Sequence, residues 1–197
     1  HVHYRYEDGE RDILNDLSFD FYPGSCTAIL GETGAGKTTL VRMLLALVKP
    51  QSGKVEIYNN KKHAELRPLL RANFVYVPQG NTILSGTIRE NLLLGKVDAT
   101  EEEMKTVLLK SCADFVFDLP LGLETPCAEQ GGGLSEGQAQ RIAIARSLLR
   151  DRSIMIFDEA TSALDPETER QLLKNILSKH DKTVIFITHR PAVVDYC

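Results

Sequence analysis

Nothing in this sequence is long and apolar enough to cross a bilayer. The longest uninterrupted apolar run covers residues 43–48, far short of the ~20 residues that a spanning helix needs. No signal-peptide pattern opens the chain, so any membrane role is expected to come through a partner or another part of the same polypeptide. Basic residues are not in excess: 23 Lys and Arg stand against 27 Asp and Glu, a net charge of −4. Without a global basic field, nucleic acid is not expected as the main partner. The four cysteines, Cys26, Cys112, Cys127 and Cys197, are far apart and form no C-x-x-C pair. That spacing signals neither a zinc site nor a disulfide framework, and they read as reduced thiols of a cytosolic protein. His1, His3, His63 and His180 have no metal-binding spacing. Glycine (14) and proline (8) stand near average abundance, which excludes collagen-like and low-complexity chains. The sequence has no internal repeat.

What is present suffices for a core. A length of 197 residues suggests one domain with room for an insert, and 43% hydrophobic with 25% charged residues is a globular balance. Residues 2–6 and 17–22 alternate like half-buried strands, with Pro23-Gly24 as a turn. Residues 26–30 read as a short apolar strand, 31–37 as a Gly-rich loop and 38–48 as a helix stopped by 50–53. Further strands are predicted at 55–58 and 74–77. From 87 to 150 the pattern is mainly helical, and Thr100 followed by three glutamates opens one helix at the end that prefers negative charge. This stretch reads as a helical subdomain inserted in the sheet. Residues 153–157 and 183–188 return as apolar, β-branched strands. Between them Asp165-Pro166-Glu167 supplies an N-cap, a proline at the first helical position and an early acid, so a helix is expected to about residue 179. The alternation of strand and helix predicts a parallel α/β sheet.

Gly31-Glu32-Thr33-Gly34-Ala35-Gly36-Lys37-Thr38 fits the phosphate-loop pattern G-x-x-x-x-G-K-S/T in full. Glycines let the backbone curl so that successive N–H groups converge on phosphate oxygens, and the following helix adds its positive end. In such a loop Lys37 reaches the β- and γ-phosphates and the Thr38 hydroxyl takes Mg²⁺. A chain of this length matches the pattern by chance about once in a hundred, and the context of apolar strand before and helix after is right. Glu32 and Thr33 carry no chemical constraint. Farther on, Ile154-Met155-Ile156-Phe157-Asp158-Glu159 is an apolar strand ending in two acids. A strand buried on both faces is apolar throughout, and the carboxyl end of such strands is where open α/β sheets bind ligands. Strands also end in plainly solvated acids. Beside a phosphate loop, however, Asp158 is expected to hold Mg²⁺, directly or through water, and Glu159 to polarise the attacking water.

With these motifs in place the chain resembles the ATP-binding cassette ATPase family. Leu134-Ser135-Glu136-Gly137-Gln138 resembles that family's Leu-Ser-Gly-Gly-Gln signature, Gln79 its Q-loop glutamine, Ser162-Ala163-Leu164-Asp165 its D-loop and His189 its switch histidine. Tyr6 matches the aromatic that stacks on adenine. Taken residue by residue, the resemblance implies that Tyr6, Gly31, Gly34, Ala35, Gly36, Lys37, Thr38, Thr39, Gln79, Ser135, Gly137, Gln138 and Asp158 bind ATP. It further implies that Thr38, Gln79 and Asp158 face Mg²⁺, and that Glu159, His189 and Lys37 act in hydrolysis. Plain structural readings stand beside several of these. Ser135 with Gln138 is also an ordinary capping box, S-x-x-Q; Tyr6 could be a packed strand aromatic; a histidine at a strand end is commonly structural. Glu136 departs from the consensus glycine and puts an acid near a triphosphate.

The resemblance implies a P-loop NTPase core of the RecA-like kind with an antiparallel β subdomain and an inserted helical one. The expected layout is one nucleotide-binding domain over 1–197, with 1–78 and 150–197 as the α/β core, 79–149 as the helical part, and a C-terminal truncation. The run 78–92, and 119–125 followed by Glu129-Gln130-Gly131, resemble exporter-type members, in which the latter segment contacts the coupling helices. The expected partners are a second such domain, head to tail around two Mg-ATP, and a transmembrane domain on the same polypeptide, which sets the location at the cytoplasmic face of a membrane. Two other readings stay open at this point: a soluble cassette ATPase, and a nucleotide-binding regulatory module that does not hydrolyse.

Overall fold

The computed structural model describes the chain except for Asp8, Glu10, Thr33, Asn60, Lys61, Asn81, residues 129–132, Lys179 and His180. The readings made above for Thr33, Asn81, His180, the Glu129 segment and the end of the helix near 179 therefore lie outside the described residues. The centre is a four-stranded, wholly parallel sheet of β3 (Cys26–Ile29), β10 (Thr183–Ile187), β9 (Ile154–Asp158) and β6 (Phe74–Val77), in that order. Its middle strands are apolar at successive positions because both faces are covered. Ile156, Ile185 and Ile187 pack on one face against Val41 and Leu44 of α1 (Lys37–Leu44). Met155, Phe157, Val184 and Phe186 pack on the other against Leu172 and Leu173 of α5 (Pro166–Leu177) and Ile144 of α4 (Glu136–Leu148). Phe157 and Phe186 stack with centroids 4.9 Å apart.

A second buried cluster lies outside the sheet. It joins α2 (Ile88–Leu93), α3 (Glu101–Lys110) and α4 through Ile88, Leu92, Met104, Leu108 and Ile142, all at most 1% exposed. Helix α4 belongs to both clusters, presenting Ile142 to one and Ile144 to the other. Each of these three helices starts at a capping box: Thr87 with Glu90, Thr100 with Glu103, and Ser135 with Gln138. Each box satisfies two backbone N–H groups that the helix start leaves without intrahelical partners. Asp165 caps α5, accepting from the N–H groups of Glu167 and Thr168, with Pro166 at the first position.

Antiparallel pairs complete the architecture: β1 (Val2–Tyr4) with β2 (Leu14–Leu17), β4 (Glu56–Asn59) with β5 (Lys62–Glu65), and the short β7 (Gly86–Thr87) with β8 (Pro126–Cys127). Three details differ from the sequence reading. The second strand ends where the first predicted residue lies, at Leu17, because its partner β1 is only three residues long; Phe19 beyond it is 61% exposed. Helix α1 stops at Leu44 rather than 48, since Ala46 adopts a left-handed backbone (φ 51°) and the Leu47 N–H turns back to Arg42 O. Cys26 and Cys197 are disulfide-bonded, not both reduced thiols. The 3₁₀ turn Pro191–Tyr196 returns the chain to the start of β3, a closeness that a separation of 171 residues hides. Cys112 and Cys127 are free.

Ile142 of α4 is fully buried among side chains of α2 and α3. Ile142→Ala is expected to cost about 2–5 kcal/mol in urea unfolding, with the transition still single.

Candidate functional site

The parallel register brings the candidate residues to one edge. Ile29 pairs with Ile187, Ile187 with Asp158, and Val77 with Phe157, so all four strands end at one level. The residues that follow these ends are Gly31, His189, Glu159 and Gln79. Four sequence segments up to 158 residues apart, from Gly31 to His189, thus open on one side of the sheet for a purely topological reason.

The phosphate loop lies between β3 and α1. Gly34, Ala35 and Thr38 are exposed, while Gly36 is buried. Gly36 has φ 90°, and a Cβ there would stand 2.9 Å from Ile13 O, so both conformation and space require glycine. The Lys37 ammonium donates to Gly31 O and, at 2.9 Å, to Glu32 O, which holds its charge over the loop. Tyr6 is half-buried beside the loop's helix. Its hydroxyl lies 3.2 Å from Thr39 Oγ1 and accepts from Arg42 at 3.0 Å, and its ring meets Tyr4 edge to face. The Thr39 hydroxyl, with the Arg42 guanidinium behind it, draws the Tyr6 phenol below its ordinary pKa. The hydroxyl is therefore committed to α1, and stacking on a base rests on the part of the ring that stays exposed.

Glu159 is the point at which three motifs meet. It follows β9 with a left-handed backbone (φ 48°), fixed by its N–H donating to Ile187 O at 2.8 Å. Its Oε2 accepts from Gln79 Nε2 at 3.2 Å and lies 3.5 Å from His189 Nδ1. Asp158, half-buried one residue earlier, accepts from the Tyr76 hydroxyl at 3.0 Å. Burial raises the Asp158 carboxyl above its usual range, and the Glu159 charge adds to this; the Tyr76 hydrogen bond and Lys37 oppose it. Burial, and then the Asp158 charge, push the Tyr76 phenol up to about 12.

The donor set fits Mg²⁺. The Thr38 hydroxyl, the Asp158 carboxylate and the Gln79 amide oxygen are hard oxygen donors of the kind this cation takes. No group of three or more His, Cys, Asp or Glu side chains gathers into a metal cage among the described residues.

Ser135, Gly137 and Gln138 stand apart. No hydrogen bond joins them to the phosphate loop among the described residues. Ser135 is exposed at the start of α4, its side chain accepting from Gln138 N at 3.2 Å. The helix start is braced instead against the segment after Glu159: Gln140 Oε1 accepts from Ala163 N at 3.2 Å, and a Cβ at Gly137 would stand 2.9 Å from Ala163 O. A side chain there would therefore push the two segments apart.

Four further side chains enter the site that the motif analysis did not name: Tyr76, Arg42, Gln140 and Arg190. Arg190, next to His189, donates to Ser162 O at 2.7 Å, to Leu164 O at 3.0 Å and to the Glu169 carboxylate at 3.0 Å. One guanidinium thus ties the histidine segment to the Ser162–Leu164 backbone and to α5. The only signals in the sequence were a tyrosine in a strand otherwise apolar, whose hydroxyl needs a partner, and an arginine following an apolar strand.

Comparison with known proteins decides the family. Residues 14–162 match the family model described as ABC transporter. The chain belongs to the ABC transporter family. The ABC cassette is 39% identical over 98% of its length to the transport/processing ATP-binding protein ComA of Streptococcus pneumoniae, and covers 27% of that protein. It is 42% identical over 92% of its length to the mitochondrial iron-sulfur clusters transporter ATM1 of Kluyveromyces lactis, covering 26% of it. Among solved structures it superimposes on a bacterial Atm1-family ABC exporter with ATP bound, with a TM-score of 0.88 and 36% identity over 98% of this chain and 34% of that one. The cassette has the P-loop NTPase α/β fold of this family, and it spans about a third or less of these relatives' length.

The arginine clasp yields a direct test. Glu169 is 2% exposed and its Oε1 has no hydrogen-bond partner among the described residues, so it depends on Arg190. Arg190→Ala is expected to cost about 3 kcal/mol in chemical denaturation. Arg190→Lys, which keeps the charge and loses the planar fork, is expected to recover only part of it.

Proposed function

We propose that this cassette binds and hydrolyses ATP as the nucleotide-binding domain of an exporter, working at the cytoplasmic face of a membrane. The observation that carries the reading is the Glu159 carboxylate, set 3.2 Å from Gln79 and 3.5 Å from His189 and next to Asp158, on the edge where the phosphate loop opens. Family membership and the ATP-bound exporter as structural neighbour support it. No helix of the described residues is long and apolar enough to cross a membrane, so the membrane-spanning part is assigned to a transmembrane domain on the same polypeptide, as in the ATP-binding/permease relatives. Residues 1–78 and 150–197 form the catalytic core in this reading, and 79–149 the helical subdomain.

In the proposed reaction the loop N–H groups and Lys37 grip the β- and γ-phosphates, and Tyr6 offers its exposed ring surface to adenine. Thr38, Asp158 and Gln79 would hold Mg²⁺, which when bound neutralises phosphate charge. Glu159 takes a proton from water as the water oxygen bonds to the γ-phosphorus. The bond from that phosphorus to the β,γ-bridging oxygen breaks, and its electron pair leaves with ADP. His189 shares the Glu159 carboxylate's surroundings and contacts the γ-phosphate, so that water and base stay aligned. Positioning and electrostatic stabilisation supply most of the acceleration in this class of transfer.

Ser135 and Gly137 are assigned to a second nucleotide-binding domain's ATP, across a head-to-tail dimer. Ser135 is exposed at the positive end of the thirteen-residue α4, a geometry that attracts an anion from outside the chain. Hydrolysis then loosens the clamp, and that motion drives the membrane part.

Glu159→Gln in the full-length protein is expected to bind ATP within about threefold of wild type while phosphate release falls by about 10²–10⁴-fold. Unaltered turnover would remove Glu159 from the role of base. Glu136, exposed at the first position of α4, is expected to weaken the signature only modestly. Glu136→Gly should raise ATP affinity and ATP-driven dimerisation by less than about tenfold, and a rise of many hundredfold in titration or light scattering would make its charge dominant.

A further inference from the structure

Among the described residues, the Tyr76 hydroxyl donates to the metal-side carboxylate Asp158 from a neighbouring strand. Tyr76 lies on β6, whose register with β9 pairs it with Ile156, two positions before Asp158 and on the same face of the sheet. Its ring packs into the cluster of Val41, Leu44 and Ile185 under α1, and its hydroxyl donates to Asp158 Oδ2 at 3.0 Å. A carboxylate accepts and does not donate, so this bond engages one oxygen of Asp158 and leaves Oδ1 as the oxygen for another partner. The terminal torsion of an aspartate is broad and soft. Without an external anchor, the carboxylate is free to turn away from that orientation. Such a turn would move the oxygen that a cation needs.

We propose that Tyr76 is a positioning residue for the Mg²⁺ that accompanies ATP: its hydroxyl fixes the Asp158 carboxylate so that one oxygen stays presented to the metal. The inference rests on the assignment of Asp158 to the metal made above. It also gives β6 a second duty. The chain leaves that strand at Val77 and reaches Gln79 two residues later, so the Tyr76–Asp158 bond cross-ties the two strands that deliver candidate metal-side groups.

The test is ATP binding to the full-length protein by calorimetry, in excess Mg²⁺ and again in excess EDTA, for wild type, Tyr76→Phe and Asp158→Asn. Phenylalanine keeps the packed ring and removes only the hydroxyl. Tyr76→Phe is expected to leave affinity in EDTA within twofold and the melting temperature unchanged, while the gain conferred by Mg²⁺ drops about five- to tenfold. Asp158→Asn is expected to lose that gain altogether. If Tyr76→Phe keeps the full Mg²⁺-dependent gain while Asp158→Asn lacks it, the hydroxyl has no positioning role and the proposal is overturned. Equal losses with and without Mg²⁺ overturn it as well, since they mark a general packing effect. If Asp158→Asn itself keeps the gain, the metal assignment fails first and the role of Tyr76 falls with it.

Discussion

Parallel pairing of β9 with β10 on one side and β6 on the other is the constraint on which the site depends. A shift of one residue in either ladder would turn each strand's side chains to the opposite face, and would carry Glu159 away from both Gln79 and His189. The register is held by burial on both faces: Ile156 and Ile187 toward α1, Phe157 and Phe186 toward α4 and α5. A slip would therefore expose apolar surface on both faces at once, and this burial holds the polar groups at the strand ends in place together with the Glu159 N–H bond to Ile187 O and the Tyr76 bond to Asp158.

The local electrostatics follow from that placement. Two carboxylates, Asp158 and Glu159, are adjacent in sequence at the half-buried end of one strand, an arrangement that burial and mutual repulsion both oppose. The opposition is answered by neutral or cationic groups from other elements: Tyr76 from β6, Lys37 from the phosphate loop, Gln79 and His189 from neighbouring strand ends. Held in this way the pair lies on the edge where the phosphate loop opens, and in the proposed reading a divalent cation bridges the two.

The parts legible in the sequence were those whose chemistry is local. The phosphate loop is contiguous, the caps at Thr100, Ser135 and Asp165 lie within three residues of the groups they satisfy, and the β9 and β10 strands announce themselves by unbroken apolar composition. Strand β5 was not legible, because Lys62–Glu65 is exposed at all four positions and carries no apolar pattern; only its pairing with β4 makes it a strand. The alternation at 17–22 misled for the converse reason, since hydrophobic period alone does not supply a partner strand. Tyr76 and Arg190 escaped because their partners are far along the chain, 82 residues in one case and 21 to 28 in the other. The disulfide of Cys26 escaped on the same ground.

Helix α4 is wedged between the two buried clusters, with Ile142 in one and Ile144 in the other. Neither cluster can melt without stripping one side of the same helix, so the thermodynamic fate of each is tied to that of the other. Heat or denaturant should therefore dismantle sheet and helical bundle in one cooperative event. The same wedge makes α4 a stiff rod running from an exposed cap into the heart of the molecule, along which a push at Ser135 would be felt by both hydrophobic interiors at once.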